Sequence, residues 1–193
     1  MFCRCLKLII DINDVEVVCD VLQAMGTLGC SLPTKTSGLC TLLWVALDSL
    51  VHNSDRVRGI AYDVICRIAE SADSQPHQII RFFSKTLYPR IISNCCATPN
   101  LINEVCDILD QDPAVFVRQA LPQILPQLVT DQRLDVLQQI AGLCNCTVYD
   151  IIAEFVHIIC ADFLLARNMA WDKVDSYNAF LVLFKFSQNQ ETT

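Results

Sequence analysis

The sequence predicts an all-α chain assembled from serial pairs of amphipathic helices. Three observations carry this. Apolar residues recur three and four positions apart through most of the 193 residues, the spacing that draws one stripe along a helix. Ser, Thr, Asp or Asn, twice with a following proline, stand where those stripes begin, as helix N-caps do. Alternating Val/Thr/Tyr segments are scarce, and five glycines are too few for a turn-rich sheet protein.

The stretch from Asp112 to Gln132, DPAVFVRQALPQILPQLVTDQ, organises the rest. The Asp112 carboxylate can accept the free N–H groups of a first turn, and Pro113 suits the first helical position. Val117, Leu121, Ile124, Leu125 and Leu128 form an apolar stripe, opposite a wet stripe of Gln119, Gln123 and Gln127. Pro122 and Pro126 each remove a backbone hydrogen bond, at about 3 kcal/mol in a straight helix. The helix is therefore expected to kink or break, held only by neighbours.

The other elements follow in chain order. Asn13 or Asp14 caps a helix running to about Met25, with Val15, Val18, Leu22 and Met25 on one face. Gly26 and Gly29 are expected to end it, and Pro33 to keep the linker extended. Leu39, Leu42, Leu43, Ala46, Leu47 and Leu50 make the next helix, with Trp44 at its edge and His52-Asn53 closing it. Ser54 caps SDRVRGIAYDVICRIAE, whose Val57, Ala61, Val64, Ile65 and Ile68 face one way, with Asp55, Arg58, Arg67 and Glu70 mainly wet. Ser74 and Pro76 open a helix through Ile92 that Pro89 should bend, and Thr98-Pro99 opens another with Leu101, Ile102, Val105, Ile108 and Leu109. Asp131 to Leu143 carries Leu134, Val136, Leu137, Ile140 and Ala141, with Gly142 and Asn145 at its end. Thr147 and Asp150 form a variant capping box for a helix apolar nearly all round, from Ile151 to Leu164. Such a helix is normally sandwiched between neighbours. The tail after it has no clear cap and one dense apolar run, Phe180 to Phe186, with Ser187 to Thr193 expected to be disordered.

Composition narrows the chemistry. A net charge of −7 and a pI near 4.8 argue against unaided nucleic-acid binding, which needs clustered Lys and Arg. The best membrane candidate, Ile151 to Leu165, is interrupted by Glu154, His157 and Asp162 and falls short of the ~20 residues needed. The opening MFCRCLKLII is stopped by Asp11 and Asp14 and lacks a cleavage site, so no signal peptide is expected. Among twelve cysteines, Cys3/Cys5, Cys95/Cys96 and Cys144/Cys146 are close pairs without zinc spacing or nearby histidines. They read as free thiols, buried as small hydrophobes in a reducing compartment. No phosphate-loop, dinucleotide, zinc-protease, nucleophile-elbow or kinase motif is present. His157 with Asp150 and Glu154 reads as a solvated stripe, and His157 with Cys160 lacks an oxyanion loop. Catalytic, cofactor-binding and metal residues are each expected to be none, with no cofactor.

The order Asp, Val-Arg, Ala and spaced Ile in SDRVRGIAYDVICRIAE resembles the second helix of a HEAT repeat, and FVRQA repeats the theme about sixty residues on. The fold class expected is a HEAT/armadillo-like helical repeat, an α-solenoid fragment, its repeats irregular because that spacing exceeds the ~40–47-residue period. The elements AMGTLG, LLWVALDSLVHNSDRVRGIAYDVI, Phe82-Phe83-Ser84, FVRQALPQILPQLV and CNCTVYDIIAEFVHIICADFL, in that order, resemble the UME-domain region of ATR-like DNA-damage checkpoint kinases, of the phosphatidylinositol-3-kinase-related family. The similarity covers roughly two thirds of the chain and rests on order more than on single motifs. It divides the chain into an N-terminal helix and linker (1–37), a UME-like region (38–145), a further solenoid helix (146–166) and an atypical tail (167–193). The resemblance implies a nuclear parent, a serine/threonine kinase of replication-stress and checkpoint signalling. Its implied partners are adjoining HEAT repeats and checkpoint proteins such as ATRIP. This chain itself would be no enzyme and would engage neither nucleic acid nor membrane directly. A free-standing HEAT-repeat adaptor is the alternative.

Overall fold

A computed structural model describes residues 14–167. The readings on the first thirteen residues and on the tail beyond Arg167 lie outside the described residues. The described chain is all α-helix, with no strand among those residues. It divides into two compact units, one of residues 14–91 with Thr98–Gln111, the other of Ile92–Ala97 with residues 112–167.

In the first unit, α1 (Val15–Ser31), α2 (Ser37–Ser49) and α3 (Asp55–Ser71) pack on one another. Asp14 caps α1 by accepting from the Glu16 N–H at 3.0 Å and the Val17 N–H at 3.4 Å. Gly26 and Gly29 do not end this helix. They are buried inside it, because α3 crosses there at close range. A Cβ on Gly29 would lie 2.7 Å from Ile68 Cδ1, and one on Gly26 3.0 Å from Val64 Cγ2. The glycines serve approach rather than termination, and α1 stops at Leu32, just before Pro33. Contacts between α1 and α3 run in one direction: Glu16 with Arg56, Thr27 with Arg67, Gly29 with Ile68. The two helices are parallel, with partners about 40 positions apart. Arg56 and Arg67 reach across from α3 to α1. Arg58 instead pairs within its own helix, with Asp55. Trp44 is not at an edge. It is 4% exposed, beneath the Arg90 guanidinium at 4.3 Å from the ring centroid.

The stretch expected as one bent helix from Pro76 to Ile92 is two, α4 (Pro76–Phe82) and α5 (Ser84–Ser93), with Phe83 between them at φ −95° and ψ 15°. Pro89 sits inside α5, where it cannot donate to the carbonyl of Lys85. α6 (Leu101–Leu109) completes the unit and packs on α2 and α4.

The second unit holds α7 (Pro113–Thr130), α8 (Leu134–Leu143), α9 (Val148–Glu154) and α10 (Val156–Arg167). Asp112 caps α7 as expected, accepting from the Ala114 N–H at 2.8 Å. The stripe Val117, Leu121, Ile124, Leu125 and Leu128 is buried, and the three glutamines are exposed. Despite Pro122 and Pro126, α7 is one unbroken element of 18 residues. The prolines are tolerated because the buried face anchors the helix on both sides of each. α8 begins at Leu134 rather than Asp131, because Gln132 turns left-handed at φ 55°. Leu134 is exposed, and so is Val156, because each lies at a helix start. Thr147 and Asp150 do form a capping box. The long apolar helix that follows is broken at Phe155 into α9 and α10, with no glycine or proline to announce it.

Four helices, α3, α6, α7 and α8, stop in the same way. A residue at positive φ follows each: Asp73, Asp110, Gln132 and Asn145. The next N–H then reaches back five residues to a carbonyl, as in Ser74 to Ala69 (3.0 Å), Gln111 to Cys106 (3.1 Å), Arg133 to Leu128 (2.9 Å) and Cys146 to Ala141 (3.0 Å). This is the Schellman arrangement, which glycine normally fills. Here no glycine has positive φ. Asp and Asn tolerate the conformation and Gln tolerates it less, so Gln132→Gly is expected to raise stability by about 1 kcal/mol. A shift of the urea midpoint to higher concentration at unchanged slope is the readout.

Three of those stops are evenly placed. Asp73, Asp110 and Asn145 are 37 and 35 positions apart, and each is followed three residues later by a helix start at Pro76, Pro113 or Val148. The burial pattern repeats with them. Ile79, Ile80, Leu87, Tyr88, Ile91 and Ile92 are buried, as are the residues 37 positions on, Phe116, Val117, Ile124, Leu125, Leu128 and Val129. Ile151, Ile152 and Ile159 occupy the corresponding places of the third copy and are also buried. Phe83 and Phe155, where helices break, are equivalent positions.

Candidate functional site

The second unit presents a groove between α7 and α10. Arg118 on α7 pairs with Glu154 at 3.5 Å, and C-terminal to that contact both helices line one cavity, so they run parallel. Pro122, Gln123, Pro126, Gln127, Thr130 and Asp131 come from α7 and its cap, and Ile158, Ala161, Asp162 and Leu165 from α10. The cavity volume is about 410 Å³, within the ~300–1,000 Å³ range of ligand-binding clefts. Its walls are mainly apolar, with Leu165 70% exposed. The prolines also withhold backbone donors. Pro122 offers no N–H to the carbonyl of Arg118, and Pro126 none to that of Pro122. The Thr130 hydroxyl donates to the Pro126 carbonyl at 2.9 Å, and the Gln127 amide to Asp131 at 3.3 Å.

Elsewhere in this unit, Cys95 and Cys96 adjoin the Arg133–Asp135 pair. The guanidinium donates from Nε and Nη2, each at 3.0 Å, and holds the Asp135 carboxyl down to about 2. Cys96 is exposed, and burial above all pushes its thiol up. Cys95 is fully buried, and desolvation pushes its thiol up to about 12. The thiol of Cys144 is likewise raised by burial, with Cys146 beside it adding to the shift and Arg118 opposing it. All of these groups disfavour the thiolate that nucleophilic or redox chemistry requires.

A reactivity pattern follows for the thiols. Iodoacetamide at pH 8 is expected to modify exposed Cys30 and Cys160 first in the folded chain, exposed Cys96 more slowly because its thiol is pushed up, and Cys19, Cys40, Cys95 and Cys106 only after denaturation. Mass spectrometry of the labelled peptides checks it. The same raised thiol gives a pH dependence. Cys95 stays protonated when folded, while the unfolded chain ionises near the ordinary value of 9.0. Its contribution is fully present below that pH and is lost as pH climbs from about 9 towards about 12.

Of the cysteines expected to be buried, Cys19, Cys40, Cys95 and Cys106 are; Cys66, Cys144 and Cys146 are half-buried, and Cys30, Cys96 and Cys160 are exposed. Cys3 and Cys5 lie outside the described residues. Asp150 is occupied by Thr147 and Glu154 by Arg118, so neither is committed to His157, which is exposed on α10. His52 accepts the Ser54 N–H at 3.0 Å, a loop-closing role. Among the described residues no group of three or more His, Cys, Asp or Glu is placed to hold a metal ion. No single described helix is long and apolar enough to cross a membrane; α8 with α9 reaches that composition only as a pair bent by 90°. The groove escaped sequence reasoning because Pro122 and Pro126 read there as defects of a helix. Their spacing of four, which puts both on one face, was the available signal.

No protein-family model, curated protein or solved structure matches the chain.

Proposed function

We propose that this chain is a non-catalytic scaffold segment of an ATR-like serine/threonine protein kinase, nuclear and acting in DNA-damage and replication-stress signalling. Its helices would form a HEAT/armadillo-like α-solenoid fragment. One observation carries the architectural part: the stops, starts and buried positions that recur at 37 and 35 residues. Such recurrence is what stacked helix pairs produce. Parallel neighbours support it in each unit, α1 with α3 at a separation of 40 positions, and α7 with the run of α9 and α10, where Arg118 meets Glu154 at the end of α9, 36 positions on. The order of motifs similar to the UME region supports the kinase assignment. In this reading the chain works by contact, with adjoining repeats of the parent and with checkpoint proteins such as ATRIP, and transfers no phosphate itself.

The alternative is a free-standing repeat adaptor, which needs polar capping surfaces. The outer face of α1 favours the scaffold. Val17, Ala24 and Leu28 lie exposed along it, with Val21 half-buried, opposite the face that packs on α3. Affinity capture with the tagged full chain from nuclear extract, probed for ATRIP and for the parent kinase, tests the assignment. Recovery of either supports it. Recovery of neither by a chain whose circular dichroism shows a cooperative helical fold sinks it. Size-exclusion chromatography separates the two readings: the scaffold segment self-associates through its open apolar faces, whereas a clean monomer speaks for the adaptor.

A further inference from the structure

We infer that the groove between α7 and α10 receives a short segment of another polypeptide, an apolar side chain flanked by lysine or arginine. The inference is independent of the parentage proposed above. The groove has an apolar floor in Pro122, Pro126, Ile158 and Ala161, closed on one side by exposed Leu165. Among the described residues, the only charged groups around that floor are acceptors. Asp131 and Asp162 supply carboxylates, and none of the lining residues is basic.

The backbone carries the same bias. The carbonyls of Arg118 and Pro122 have no N–H four residues on, because prolines stand there. The two prolines that withhold those N–H groups, Pro122 and Pro126, both line the groove. Existing hydrogen bonds leave this bias in place. The Thr130 hydroxyl serves the Pro126 carbonyl, and the Gln127 amide reaches a single oxygen of Asp131. The complement of such a surface is a chain that brings apolar bulk and N–H or ammonium donors together. An acidic segment would meet two carboxylates, with no basic residue in the lining to offset them. The whole molecule, at −7, steers in the same direction.

Fluorescence anisotropy with the full chain and two labelled probe peptides tests this. One probe carries a central Leu-Ala-Leu flanked by two lysines on each side, and its twin carries glutamates instead. The lysine probe is expected to bind and the glutamate twin to bind at least tenfold more weakly. Ala161→Trp, which fills the groove, and the pair Asp131→Asn with Asp162→Asn should each weaken the lysine probe at least tenfold. The pair Glu104→Gln with Asp107→Asn removes the same charge from α6 and should change affinity less than twofold. Equal losses from the two double variants would reduce the effect to net charge and overturn the groove assignment. So would full-strength binding by an Ala161→Trp chain whose melting curve is unchanged. A benzophenone amino acid in place of Gln123 identifies the occupant directly. Cross-linking to the lysine probe supports the inference, and cross-linking to this chain's own residues, within one copy or between two, contradicts it.

Discussion

Leu121→Asp is expected to abolish the cooperative unfolding transition of the second unit. Leu121 is 0% exposed in the middle of α7, so the substitution removes a fully buried aliphatic side chain and leaves a carboxylate in its place. The lost packing alone is worth about 2–5 kcal/mol. An unpaired carboxylate there adds a further penalty, which the group meets by taking up a proton or drawing in water. Against a total stability of roughly 5–15 kcal/mol, little remains. Ile124→Asp, at 2% exposure one turn later, should behave alike. Circular dichroism melts read the result. An unchanged midpoint in either variant would show that α7 does not hold this unit together.

Gly29→Val is expected to destabilise the first unit by about 2–3 kcal/mol. The cause is overpacking. The new Cβ would stand 2.7 Å from Ile68 Cδ1 and 2.8 Å from Cγ1, and Ile68 is itself fully buried and cannot swing away. The branched side chain leaves α1 and α3 no relief except to separate. Gly59→Ala is the control. A Cβ there meets nothing within 4 Å, so the helix-propensity gain of roughly 1 kcal/mol should appear undiminished. Shortening the obstacle with Ile68→Val should restore part of what Gly29→Val loses. Additive losses in that double-mutant cycle would mean that the two residues do not meet.

Helix positions and their buried faces were largely legible, because a stripe at three- and four-residue spacing is a local property of the chain. Val57, Ala61, Val64, Ile65 and Ile68 on α3, and the α7 stripe, are buried as their spacing predicts. Helix ends were less legible, for one physical reason. Glycine is the usual local mark of a stop. In this chain Gly26 and Gly29 sit where two helix axes come close, and the stops fall on Asp73, Asp110 and Gln132, with Asn145 alone at an end its type announces. Only the neighbouring helix tells these uses of glycine apart. The breaks at Phe83 and Phe155 carry no breaker residue and could not be read locally. The 37-residue recurrence was in plain sight in one respect, since Pro76 and Pro89 reappear as Pro113 and Pro126. The two Val-Arg pairs, Val57-Arg58 and Val117-Arg118, are about sixty residues apart and do not follow that recurrence. The groove was illegible because it needs α7 and α10 side by side, a long-range relation.

The prolines of α7 also bear on the order in which this chain assembles. Two missing amide donors take about 6 kcal/mol from the helix as an isolated object, far beyond what 18 residues recover from intrinsic propensity. A synthetic peptide of residues 113–130 should therefore be almost without helical signal in water. The segment must wait for α8 and α10 to offer it a surface, and it takes shape only as it docks.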